Sequence, residues 1–352
     1  MKKYDKKGWC CLLIVKSQWI PLQLLADQAL LVHLPGRHAN RAAIEDDLAR
    51  RRAGWRGEQA LSYYLSFLRP ERYRIFYDLR LTIQAHAFQI DALLLSPSLA
   101  AIIEVKNFTG TVYFESLFDQ MIRVAGDRQE TFPNPIVQVK RQRDMLNKWL
   151  SAHRLPELPI ECLVTIANVS TMIKSASNSA GEWVCHAEHL ESRLKKYEQR
   201  NHKRILGLSA LQQLETALLE NHTDPQPDVL KKFAVSSTDL IRGVRCPNCG
   251  TFEVERAYGT WVCKSCSKKS KDAHVPMILD YFLLKGSTMT NKQCREFLKI
   301  SDHQLVTRLL RKTPIKIGGS GRGIGQYYMA PPHEYFDQQY QRFRQNRQKR
   351  IF

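Results

Sequence analysis

The sequence predicts an α/β protein: a mixed sheet with helices on its faces, then a small cysteine-rich module and a basic, largely helical one. Three observations carry this. Two apolar runs, residues 89–95 and 99–106, flank Ser96-Pro97-Ser98, the pattern of a β-hairpin. Strand-like stretches alternate with helical ones on either side of it, which is the order of an α/β core. Cys246-Pro-Asn-Cys249 and Cys263-Lys-Ser-Cys266 form C-x2-C-x13-C-x2-C, two knuckles joined by a short hairpin around Tyr258-Gly259.

In chain order, residues 18–35 carry leucines at helical spacing, and 40–68 read as a long helix whose middle Gly54 and Gly57 weaken. Glu58 precedes Leu61 and Leu65 by three and seven residues, which puts it on the inward side of that helix. A glutamate favoured by a helix N-terminus is the competing explanation. Strands follow at 73–83, in the hairpin and at 111–114. Asn134-Pro135 opens a helix running to about 153, with Gln138, Gln142, Met145 and Trp149 on one stripe. Further strands fall at 159–167 and 183–189, a helix at 206–219, and a linker at 221–227, Asn-His-Thr-Asp-Pro-Gln-Pro. His153, His186 and His189 lack partners at ligand spacing and are read as ordinary hydrogen-bonded residues.

The hairpin holds the candidate chemistry. With its turn centred between Pro97 and Ser98, Asp91 lies opposite Glu104, and Lys106 follows two residues later on the same face. Carboxylates facing each other in apolar strands repel, so they call for a cation; a divalent ion held there keeps positions open for phosphate oxygens, and a lysine beside it can orient the attacking water or neutralise charge. That is an arrangement for phosphodiester hydrolysis. An edge-strand Glu104–Lys106 salt bridge is the competing reading.

Arg56-Gly-Glu58, Gln89-Ile-Asp91, Ile103-Glu104-Val-Lys106-Asn107, Gly110 and Asn134-Pro135-Ile-Val-Gln138, in this order over about residues 50–170, resemble the nuclease-related domain family, a branch of the PD-(D/E)xK restriction-endonuclease-like superfamily. The resemblance implies a restriction-endonuclease-like core and a magnesium- or manganese-dependent site. Asp91 and Glu104 would be the metal ligands and Lys106 the catalytic lysine. Glu58 is similar to the carboxylate on the superfamily's first core helix, and Gln138 to a polar residue on the helix after the sheet, although a helical glutamine is ordinarily a solvated or capping residue.

Charge is uneven along the chain: residues 230–352 hold 23 Lys and Arg against 9 Asp and Glu, a net +14 of the chain's +19. That concentration points to a polyanion-binding C-terminal third, against a merely soluble basic surface. The paired cysteine spacing is that of a structural zinc ribbon, with an iron-sulfur or redox site as the alternative. Cys10, Cys11, Cys162, Cys185 and Cys294 are scattered, which suits a reducing compartment. After a helix at 275–285, Thr290…Gln293 and Ser301…Gln304 read as successive capping boxes opening two short helices, and 315–329 as a glycine-tipped β-ribbon. This order resembles a winged helix, with a helical hairpin for protein docking as the rival. His303, Gln304, Thr307, Arg308 and Arg311 are candidate groove contacts, Lys316 and Arg322 candidate phosphate contacts. Beyond them a basic tail carries Arg342, Arg344, Arg347, Lys349 and Arg350.

No apolar run approaches a membrane span. Met1 to Lys7 followed by 9–15 has a signal peptide's charge order but a minimal apolar part and no cleavage site, so a cytoplasmic protein is expected. The expected domains are a helical extension (1–49), the nuclease-related domain (50–200), a helix and linker (201–240), the zinc ribbon (241–270), the winged-helix-like module (271–335) and the basic tail (336–352). The expected function is a metal-dependent DNA endonuclease acting on nucleic acid, DNA before RNA, with no membrane partner and the oligomeric state open. A non-catalytic nucleic-acid-binding or regulatory protein and a zinc-dependent interaction adaptor are the rivals.

Overall fold

The computed structural model describes residues 13–69, 71–115, 118–175, 180–319 and 325–348. The chain divides into two compact units, residues 1–18 with 52–223 and residues 19–51 with 224–352.

The first unit is built on a six-stranded sheet. Its elements are β1 (Leu13–Lys16), the second half of a long helix that follows α1 (Leu22–His33) and is called α2 (Arg41–Leu65), then β2 (Arg74–Ile83), β3 (His86–Leu95), β4 (Ala100–Lys106), β5 (Thr111–Glu115), β6 (Gln120–Ala125), β7 (Arg128–Pro133), α3 (Pro135–Ala152), β8 (Ile160–Ile166), β9 (Met172–Ser175), α4 (Ala180–Trp183), β10 (Val184–His186), α5 (Leu190–Arg200) and α6 (Leu208–Glu220). The sheet order is β1-β2-β3-β4-β8-β10, antiparallel through β2-β3-β4 and parallel elsewhere. β4 and β8 lie inside the sheet and are covered on both faces, which is why they read as unbroken apolar runs instead of alternating ones. One face packs on Ile136, Val139, Leu146 and Trp149 of α3 and Leu211, Leu214 and Leu218 of α6. The other packs on Leu61 and Leu65 of α2 and Leu190, Leu194 and Tyr197 of α5.

α2 runs unbroken through Gly54 and Gly57, as one long helix was expected to, and Gly57 allows a close approach. A Cβ there would stand 2.7 Å from Cβ of Asn107, just past the end of β4. Gly110 is fixed in the same neighbourhood by a φ of +87° and by Val124 O, 2.2 Å from where its Cβ would be. Gly57→Ala is therefore expected to push this part of α2 away from Asn107 and to cost about 1–3 kcal/mol, read as a lower thermal midpoint.

A second sheet, β7-β6-β5-β9, was not foreseen beyond β5. α5 was also missed, and only Val184–His186 of the expected 183–189 strand is extended, Trp183 ending α4 and Ala187–His189 forming a short 3-10 helix.

The second unit contains α1, the first half of α2, α7 (Val229–Lys232), a three-stranded ribbon of β11 (Val254–Ala257), β12 (Thr260–Cys263) and β13 (Lys269–Ser270), then α8 (His274–Lys285), β14 (Thr288–Met289), α9 (Asn291–Leu298), α10 (His303–Arg311), β15 (Ile317–Gly318), β16 (Tyr327–Met329) and α11 (His333–Gln348). The order helix, strand, helix, helix, strand, strand, with sheet order β14-β16-β15, is consistent with the expected winged-helix-like module. Thr290 and Gln293 form the expected capping box of α9. The second cap is Asp302, not Ser301: its carboxylate accepts from the amides of Gln304 and Leu305, two charge-assisted bonds at the positive end of the helix.

Candidate active site

The hairpin forms in the expected register. Ser96 N–H donates to Leu99 O at 2.9 Å, Ser96 Oγ accepts from the amides of Ser98 and Leu99, and the strands pair from Leu95↔Ala100 to Ala92↔Ile103. The next pair in this series is Asp91 and Glu104. There the ladder ends, and Val105 N–H donates instead to Asp91 Oδ2 at 2.9 Å.

The divergence has a local cause. Phe76 and Leu79 of β2 share one core, as do Ile90 and Leu93 of β3, a spacing of three where alternation requires an even number. The inward face slips at Asp78, whose φ is +51°, and at Asp91, which lies across from it between the Tyr77↔Ala92 and Leu79↔Ile90 pairs. Gln89 Nε2 donates to Asp78 Oδ1 at 2.5 Å.

Glu104 is 2% exposed and both its oxygens are held. Oε1 accepts from Lys106 Nζ at 2.6 Å and Gln138 Nε2 at 2.7 Å, and Oε2 from Gln142 Nε2 at 2.8 Å. Lys106 Nζ also donates to Gln138 Oε1 at 3.2 Å. α3 thus brings Gln138 and Gln142, one turn apart, against the end of β4; its start is fixed by Asn134, whose side chain accepts from Ile136 N–H, and by Pro135 in the first turn. The Glu104–Lys106 salt bridge of the competing reading is present, but β4 runs between β3 and β8 and is not an edge strand of the sheet.

Glu58, Asp91, Glu104 and Lys106 feel one another's charge. Burial, then the Glu104 and Glu58 carboxylates, pushes Asp91 well above the usual range, against Lys106 and the Val105 amide. Burial, then Asp78 and Glu104, lifts Glu58 to about 8, opposed by a hydrogen bond from Gln18 and by Lys106. Burial pulls Lys106 down, but Glu104, Asp91 and Glu58 outweigh it and raise its pKa above that of an ordinary lysine. The ammonium therefore keeps its proton at neutral pH.

These oxygen donors and their excess negative charge fit a hard divalent cation. Gln142 Oε1, buried beside Glu104 on a residue 4% exposed, has no hydrogen-bond partner, a further oxygen left unsatisfied at this site. The carboxylates do not, however, gather as tightly as the cysteines. Among the described residues, Cys246, Cys249, Cys263 and Cys266 are the one group of three or more possible ligands whose donor atoms all lie within 4.8 Å of one another. Their sulfurs pair at 3.7 Å (Cys246–Cys266) and 3.5 Å (Cys249–Cys263), and Asn248 N–H donates to Cys246 Sγ. A hydrogen bond with the Thr251 hydroxyl holds the Cys263 thiol down at about 6, the side of the thiolate that a metal needs.

Of the expected nucleic-acid contacts, Arg308 and Arg311 are exposed on α10, and Lys316 is exposed before β15. His303 and Gln304 are exposed as well, whereas Thr307 is half-buried and bonded to Asn291. Arg322 lies outside the described residues. In the tail, Arg342 is paired with Asp272 at 2.7 Å. No helix among the described residues is long and apolar enough to cross a membrane. Gln142, Asp78 and Gln18 were not identified from the sequence as parts of the site.

Residues 53–167 match the family model of the nuclease-related domain. The match begins on α2 five residues before Glu58 and ends just past β8, so it contains all five expected site residues. Neither a curated protein nor a solved structure matches the chain.

Proposed function

We propose that this chain, which carries a nuclease-related domain over residues 53–167, is a divalent-metal-dependent nuclease that hydrolyses phosphodiester bonds in DNA, cutting within the strand. The observation that carries the proposal is Glu104: a carboxylate 2% exposed, held on both oxygens by Lys106, Gln138 and Gln142, whose charge raises the pKa of both Asp91 and Glu58. A buried anion costs several kcal/mol, roughly, unless compensated, and one lysine does not balance three carboxylates.

Asp91 and Glu104 would hold magnesium or manganese with help from Glu58. Bound there, such an ion supplies a Lewis acid for a phosphate oxygen and a more acidic water. Gln138 and Gln142 are positioning residues that orient Glu104. Lys106 is held by Glu104 and Gln138 in its charged form, so its role is to donate to the phosphate and neutralise the charge that builds there, and not to act as base. The test is cleavage of plasmid and single-stranded DNA with magnesium or manganese against a chelator. Nicking or linearisation that needs the ion is expected, and cutting that survives chelation would overturn the mechanism.

The four cysteines are proposed to bind zinc as a closed structural site, because paired C-x2-C knuckles offer four convergent thiolates and no open position. The winged-helix module, with Arg308, Arg311, Lys316 and Arg322, is proposed to bind the nucleic acid.

One observation favours a second reading, a binder on a nuclease scaffold: the three carboxylates do not form a group within 4.8 Å. Repulsion in the absence of a counter-charge accounts for that spacing equally well, and Glu58 distinguishes the two. Its folded pKa of about 8 exceeds the ordinary 4.5, so the folded protein binds the extra proton between those values. Stability of the metal-free protein then falls as pH rises from about 4.5 through about 8. Glu58→Gln removes that slope and is expected to gain about 1–3 kcal/mol over the wild type at pH 8 in chelator, and nothing near pH 4.5. Added magnesium should stabilise the wild type and not the variant; an ion with no effect on either favours the binder.

A further inference from the structure

The acidic side chains of the candidate site come from both sides of the six-stranded sheet. Along β4, Ala100 and Ile102 pack in the layer of α3, whereas Ala101, Ile103 and Val105 pack in the layer of α2 and α5. Glu104 and Lys106 continue the first series, and there Gln138 and Gln142 of α3 meet Glu104. Glu58 belongs to α2, whose Leu61 and Leu65 lie in the opposite layer. A side chain does not pass through a hydrogen-bonded sheet, so Glu58 meets Glu104 and Lys106 around the end of β4. Where α2 docks on that end sets its distance from them.

Asn107 makes that docking. It follows Lys106 in the chain, and its side chain turns to α2, where Nδ2 donates to Ala53 O at 2.7 Å. One helical turn later its Cβ stands 2.7 Å from where a side chain on Gly57 would begin, and Glu58 is the next residue. In an unbroken helix the Ala53 carbonyl already accepts from the amide four residues on, so the Asn107 bond uses its second lone pair. It satisfies no orphaned group, and what it adds is position. The segment that carries Asn107 is itself anchored: Lys106 O accepts from Ala167 N–H at 2.9 Å, and Phe108 O accepts from Asn168 Nδ2 at 3.0 Å and Thr171 Oγ1 at 2.6 Å. A fixed arm from the end of β4 therefore grips α2 over one turn, Ala53 to Gly57.

We propose that Asn107 is a positioning residue for the metal site: by holding α2 at Ala53 and Gly57 it keeps Glu58 within reach of a divalent ion shared with Asp91 and Glu104. This rests on the nuclease reading and deepens it. Without the Asn107 amide, α2 remains packed through Leu61 and Leu65, but the turn before Glu58 is no longer tied to β4, and the third carboxylate withdraws from the ion. Partners that orient ligands in this way are typically worth tenfold to a hundredfold in metal affinity, roughly.

The test measures manganese binding by calorimetry, without DNA, for the full chain as wild type, Asn107→Ala, Asn107→Leu, Asp91→Asn and Leu194→Ala, each held well below its melting temperature. Asn107→Leu keeps the Cβ contact and the approximate shape while removing the donor. Leu194→Ala empties the same apolar layer from α5 and serves as a variant that loses stability and no site contact. Both Asn107 variants are expected to bind manganese about tenfold or more weakly, with Leu194→Ala binding as the wild type does. The manganese concentration for half-maximal DNA cleavage should rise by the same factor in the Asn107 variants. Wild-type affinity in Asn107→Ala and Asn107→Leu overturns the positioning role and leaves the nuclease reading standing. Equal weakening in Leu194→Ala also overturns it, since the site then answers to any loss of stability. A wild-type chain that binds no manganese, or an Asp91→Asn chain that binds it as well as the wild type, overturns both readings.

Discussion

Asp91→Asn is expected to lower the rate of DNA cleavage by about 10²–10³-fold or more while leaving the fold in place. Asparagine retains an oxygen for the Val105 N–H, so the end of the β3–β4 ladder keeps its cap. What is lost is a negative charge beside Glu104 and Glu58, and with it affinity for a divalent ion. Because the lost charge is also a repulsive one, the metal-free variant should melt no lower than the wild type, and higher at neutral pH. A loss of activity accompanied by a gain in stability is the signature of a charge kept for binding an ion. Lys106→Ala is expected to lose comparable activity but is the poorer probe. It strips the cation from a carboxylate 2% exposed and leaves only the amides of Gln138 and Gln142, a change expected to cost about 3–5 kcal/mol. Steady-state cleavage and thermal unfolding of both variants check this; an Asp91→Asn protein that cuts like the wild type would remove Asp91 from the site.

The Asp91–Glu104 juxtaposition was legible because it is local. A four-residue turn centred on Pro97-Ser98 sets the register of both strands, and register alone puts two charges side by side. Lys106 and Glu58 followed from periodicities of two and 3.6. Gln142 was hidden by the same logic: on the stripe that carries Trp149 it reads as one more inward position, and only the packing of α3 on β4 shows it bonded to Glu104. Asp78 could not be found, since nothing in the sequence announces a left-handed residue in the middle of a strand. β6 and β7 lack clean alternation because much of that hairpin is exposed, so they carry no periodic signal. Gly57 and Gly110 were visible as motif letters, but their reasons, a Cβ of Asn107 against α2 for the first and a left-handed φ under the Val124 carbonyl for the second, exist only in three dimensions.

Removing the proposed zinc should separate the two metals by their consequences. Magnesium bound at Asp91 and Glu104 would be exchangeable, so chelation should stop cleavage and refilling should restore it. Zinc in the ribbon would be a folding ligand: the segment offers a small core, chiefly Trp261 with Cys246 and Cys263, and binding of about 10 kcal/mol or more would hold such a module together. Cys263→Ser is expected to lower the metal content by one equivalent and to unfold the ribbon. With the ribbon goes the Trp261–His274 bond, so indole fluorescence should shift to the red and His274 should titrate nearer its ordinary value of 6.5, up from about 4. DNA affinity is expected to fall, because α8 of the proposed DNA-binding module loses its hydrogen bond to Trp261 of the ribbon. Cleavage at saturating DNA should persist, since Glu58, Asp91, Glu104 and Lys106 all belong to the other unit. Loss of affinity with turnover retained is the result that makes the cysteine site structural; loss of turnover at saturation would make the ribbon part of the chemistry.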